Sequence, residues 1–77
     1  MSEAEYTHLL RKCREAKMMN DYHVLLTGER LAAAIVLNKP HWLQEQGYTL
    51  AEAFDRVGPI WWPLLLRAQR DLRDGIE

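Results

Sequence analysis

The sequence holds a single cysteine, Cys13, among its 77 residues. An intramolecular disulfide is therefore impossible, and a cysteine-rich zinc site is excluded. A lone thiol suits a reducing compartment. Glycine and proline are scarce, at four and three residues, and the glycines stand apart, so there is no glycine-rich phosphate loop. No apolar run approaches the ~20 residues needed to cross a bilayer. Neither sign of charge dominates: ten Lys and Arg against eleven Asp and Glu leave −1. No global field draws the chain toward nucleic acid or an anionic membrane. The histidines are His8, His23 and His41. None has a second His or Cys13 at i, i+3 or i, i+4, so no metal-ligand pair is implied.

What the chain does have is apolar residues, 48% of the total, which places it among folded proteins. Its length predicts one helical domain over residues 1–77, burying only about 60–65% of the surface its unfolded form exposes. So small a core has little stability to spare. The apolar load is compatible with a compact monomer and equally with a homodimer or an obligate partner. Met1-Ser2-Glu3-Ala4-Glu5 is acidic and polar, the opposite of a signal peptide. The expectation is a soluble, cytoplasmic protein with no membrane attachment.

Tyr6, Leu9, Leu10, Cys13 and Ala16 recur at helical spacing and predict an amphipathic helix over roughly residues 3–18. Ser2 and Glu5 fit a capping box at its start. Arg11, Lys12, Arg14 and Lys17 gather toward its end, where cations complement the helix dipole. Met18-Met19-Asn20 closes it. Asn20 or Asp21 is placed to cap a second element containing Tyr22, Val24, Leu25 and Leu26, interrupted at Thr27-Gly28. Thr27 is equally placed to cap a fresh helix. Leu31 to Leu37 is apolar on all sides, as expected of the central helix of a small domain. Lys39 precedes Pro40 and is pushed out of helical geometry, so that helix ends near Asn38.

Pro40 opens a short helix from His41 to Gln46, stopped by Gly47. Thr49 and Glu52 form a capping box for a helix from Leu50 to Val57. Gly58 and Pro59 end it. Pro63 is tolerated only in a first turn, so the last helix starts near Trp62 and runs to about Asp74. Nothing reads as a strand. The fold predicted is all-α, a small single-domain bundle of roughly four or five short helices.

No chemistry-bearing constellation emerges. Cys13 sits on the apolar face of the first helix, where a small core residue is expected. The carboxylates are spread one per turn, without a pair. No catalytic residue, cofactor, metal or small-molecule ligand is implied. A helix-turn-helix comparison centred on Gly47 gives either Glu52, Asp55 and Arg56 or Trp61-Trp62-Pro63 as the recognition surface, neither suited to base edges. Arg67, Arg70 and Arg73 are the candidate anion or nucleic-acid contacts, with Arg67–Asp71 and Arg70–Asp74 expected as i, i+4 ion pairs on a solvated face.

The aromatics remain. Trp61, Leu64 or Leu65, Ala68 and Leu72 follow a core stripe on the last helix. Adjacent helical residues point roughly 100° apart, so Trp62 falls beside that stripe with Leu66 and Gln69. Trp62, Leu66, Arg70 and, on the short helix, Trp42 are the candidate interface, since tryptophan and arginine are enriched at interface hot spots. The leading expectation is a non-catalytic interaction or accessory protein whose partner is another protein or itself. The alternative is a DNA-associated regulator using the arginines of the last helix.

Overall fold

The fold is described by a computed structural model over residues 3–75. Five helices occur among these residues: α1 (Glu3–Met19), α2 (Thr27–Val36), α3 (Pro40–Glu45), α4 (Leu50–Val57) and α5 (Trp62–Arg73). There is no strand among them, and the all-α reading holds. The capping box expected at Ser2 lies outside the described residues.

α1 buries Tyr6, Leu9, Leu10, Cys13 and Ala16, the stripe that the spacing predicts. It ends at Asn20, whose φ of 51° is left-handed. The amide of Asp21 returns to the carbonyl of Ala16 at 3.2 Å, so an asparagine does the work usually given to glycine at a helix end. The second element expected over Tyr22–Leu26 is not a helix. Asp21 Oδ1 accepts from the amide of His23 at 3.0 Å and from its Nδ1 at 2.6 Å. Such local bonds compete with helical pairing and hold the segment as turns. Arg30 reaches back from α2 to donate to the carbonyls of Leu25 and His23. Tyr22 and Leu25 are buried, while Val24 and Leu26 face outward.

Thr27 begins the fresh helix as its first residue, with extended Leu26 in the cap position. The Glu29 carboxylate accepts from the amide of Leu26 at 3.1 Å, half of a capping box whose other half Leu26 has no oxygen to supply. α2 contacts α1, α3, α4 and α5, which makes it the central helix. Leu31, Ala32, Ala33, Ala34 and Val36 are buried, and the alanines let four neighbours pack closely around one axis. The radius of gyration is 11.3 Å, against about 11.5 Å for a globule of this length. No helix projects as a separate arm.

α2 gives way at Asn38, again left-handed with φ 56°. Pro40 opens α3, and Gly47 stops it with φ 80°. The capping box on α4 forms in full: Thr49 Oγ1 accepts from the Glu52 amide at 3.1 Å, and Glu52 Oε1 from the Thr49 amide at 3.0 Å. Bonds from the amide and hydroxyl of Thr49 hold the Glu52 carboxylate below its ordinary range. Thr49→Ala is expected to lower the unfolding free energy by about 1 kcal/mol, and Thr49→Ser to recover most of it, in urea titrations. Equal midpoints for the alanine variant and the parent would show the box to be idle.

α5 begins at Trp62 with Pro63 in its first turn, as proline chemistry requires. Leu65 and Ala68 are buried, with Trp61, Leu64 and Leu72 partly so. The core is thus α2 wrapped by one stripe from each other helix.

Candidate functional site

Met18, Met19, Val24 and Leu26 are exposed elsewhere, and a further group of exposed apolar side chains lies where α4 passes into α5. Leu50 and Phe54 stand one turn apart on α4, and Trp62 and Leu66 one turn apart on α5. The two pairs meet through Phe54 and Trp62, whose rings pack edge to face with centroids 6.1 Å apart. Trp62 Nε1 donates to the carbonyl of Phe54 at 2.9 Å. That carbonyl also accepts the amide of Gly58 at 3.0 Å, so the indole is fixed against the last turn of α4. Trp62 is nevertheless 44% exposed and Leu66 51%. Leu50 and Ile60 are exposed as well. Arg70, one turn beyond Leu66, is exposed at the edge.

The candidate interface predicted from the sequence, Trp62, Leu66, Arg70 and Trp42, does not include Leu50, Phe54 and Ile60. Leu50 and Phe54 did carry a signal, their i, i+4 spacing beside the buried Ala53. Trp42, unlike Trp62, is buried. It is only 4% exposed, tilted against Tyr22 with centroids 5.3 Å apart and covered by Lys39 Nζ at 5.7 Å. A helix of six residues has few side chains with which to close its end of the core, and Trp42 and Leu43 both turn inward.

The three arginines of α5 do not converge on one point. The Arg67 guanidinium lies 3.8 Å over the Tyr6 ring and pairs with Glu3 Oε1 at 3.1 Å. Its bond to Glu3 raises its pKa further. The expected Arg67–Asp71 pair is present only at 4.0 Å, because Asp71 accepts the Tyr6 hydroxyl at 2.5 Å. The expected Arg70–Asp74 pair is not formed: Asp74 is the C-cap, beyond the helix, and takes Arg73 Nε at 3.5 Å. Among the described residues Arg70 alone of the three makes no ion pair. Around Gly47, the exposed residues of α4 include Glu52, Asp55 and Arg56, a face with more acid than base.

Cys13 is 1% exposed, and burial, with a smaller push from Glu29, drives its thiol up to about 12. It stays protonated at neutral pH and serves packing. Among the described residues no three His, Cys, Asp or Glu side chains gather as metal ligands, and no helix is long and apolar enough to cross a membrane. His8 joins a polar chain instead. Arg11 can only donate, so His8 Nδ1 accepts from it at 3.3 Å, and Nε2 carries the proton given to Glu29 at 2.9 Å. Comparison with models of protein families, with curated proteins and with solved structures finds no match.

Proposed function

We propose that this chain is a small, non-catalytic helical interaction protein that docks through the α4–α5 apolar surface, on another protein or on a second copy of itself. One observation carries the reading. Trp62 is a large aromatic held in place by a hydrogen bond to Phe54 yet left 44% exposed beside exposed Leu66. A large aromatic held in place by its own fold and still partly open in an apolar surround has the character of an interface anchor. Arg70 supplies a charged rim. The DNA-associated alternative draws on Arg67, Arg70 and Arg73, of which Arg67 and Arg73 are already paired with acids.

Leu66→Lys tests the surface with little risk to the fold, since Leu66 points to solvent. In the self-associating form of the proposal, light scattering gives a mass above the monomer that rises with concentration. Leu66→Lys returns it to the monomer with an unchanged circular dichroism spectrum, and Trp62→Ala does the same. A monomeric parent mass at every concentration removes the homodimer and leaves a different protein as the partner.

A further inference from the structure

Arg56 lies about 200° around α4 from Phe54, so it serves the opposite flank of that helix. On that flank a cleft of about 240 Å³ opens between α1, α2, α4 and the turn before α5. Its apolar walls are Leu9, Ala32, Val57 and Trp61. Gly28 forms part of the wall, and a Cβ built there would meet no atom within 4 Å. The space above it is therefore unfilled. A cavity of about 150 Å³ already accepts a benzene ring, so this one has room for a phenyl or branched aliphatic side chain.

Glu29 and Arg56 line the same cleft together with His8, which pairs with Glu29; no ion pair joins Glu29 to Arg56. Glu29 is held by the Leu26 amide and by His8, each on a different carboxylate oxygen. Burial opposes its ionisation, but the bonds from His8 and Leu26 outweigh it and keep the group below its ordinary range. Each carboxylate oxygen retains a second acceptor position. Arg56 lines the cleft and makes no ion pair among the described residues. One fixed anion, one uncommitted cation and an apolar bed form a three-part pattern.

We infer that this cleft binds a free α-amino acid with an apolar side chain. Its ammonium sits at Glu29, its carboxylate at Arg56, and its side chain lies against Trp61, Val57, Leu9 and Ala32. A ligand carrying both charges on one carbon brings a partner to Glu29 and to Arg56, the two charged groups of opposite sign that line the cleft. Neither charge alone satisfies the cleft, because a simple acid would meet Glu29 and a simple amine would meet Arg56.

Titration calorimetry with L-leucine, leucinamide and N-acetyl-leucine tests this directly. Leucine is expected to bind saturably in the millimolar range or tighter. Leucinamide, lacking the carboxylate, and N-acetyl-leucine, lacking the ammonium, should each bind about tenfold more weakly, as the loss of one charged hydrogen bond implies. Arg56→Gln should weaken leucine by a similar factor while leaving leucinamide unchanged. Gly28→Leu, which fills the cleft from its own wall, should abolish binding with the circular dichroism spectrum preserved. No heat above dilution with leucine overturns the inference. So does equal affinity for all three compounds, which would mean that apolar contact alone is being measured. Both surfaces can be tested by separate substitutions, since Leu66 does not line the cleft.

Discussion

Leu31→Ala lowers the unfolding free energy by about 3 kcal/mol, within the range for buried leucines, and the melting temperature by about 15 °C. Leu31 is fully buried, at 0% exposure, and with Cys13 is the largest side chain so enclosed. It stands on α2, the helix against which α1, α3, α4 and α5 all pack. Its neighbours Ala32, Ala33 and Ala34 are too short to reach into the space it leaves, so the cavity persists instead of collapsing. In a domain of 77 residues, whose total stability is on the order of 5 kcal/mol, such a loss consumes most of the margin. Leu26→Ala is the matched control: that leucine is 74% exposed, and the change should cost little. Thermal and urea unfolding followed by circular dichroism decide it, and comparable losses for the two variants would displace α2 from the centre of the energetics.

The second large effect is loss of stability in alkali. The Cys13 thiol is raised from 9.0 to about 12, first by burial and then by Glu29. Burial and the hydrogen bond to Asp71 also raise the Tyr6 phenol, partly offset by Arg67. Both groups are neutral when protonated, and both hold their protons more tightly in the folded chain than in the unfolded one. Their contribution is therefore complete below the unfolded pKa and disappears as pH climbs toward the folded value. For Cys13 that window runs from about pH 9 to about pH 12, and three pKa units correspond to about 4 kcal/mol at most. Tyr6 adds to the loss above about pH 10. Urea midpoints should be flat from neutrality to about pH 9 and fall steeply beyond it. Cys13→Val, which keeps an apolar side chain of similar size in the same space, should flatten much of that fall. An identical alkaline slope in the valine variant would exclude the thiol as its cause.

Residues that act on their own neighbours made much of this fold readable in advance. Thr49 with Glu52, Pro40, Gly47, Gly58 and Pro63 each fix a helix end by local chemistry, and those ends stand where expected. The segment from Asn20 to Leu26 misled because its apolar residues suggest a helix while Asp21 closes a turn on His23. Side chains whose surroundings come from distant parts of the chain were the least legible. Arg67 pairs with Glu3, 64 positions away, a partner that no i, i+4 rule proposes. Trp42 and Trp62 look alike as indoles in amphipathic helices. Only the placement of Tyr22 and Lys39 over one, and the open edge of α4 beside the other, separates them. The cleft around Gly28 has no counterpart in the linear pattern, because its walls come from three helices and a turn.

The bond from the Trp62 indole to the carbonyl of Phe54 bears on how tightly the α4–α5 surface can be met. Freezing a mobile side chain at an interface costs about 0.5–1.5 kcal/mol in lost rotamer freedom. Here folding has already imposed that ordering, since the ring is held from one edge by α4 before any partner arrives. In the docking proposed for this surface, the partner meets an indole already in its pose, and that side chain adds no further ordering cost on binding.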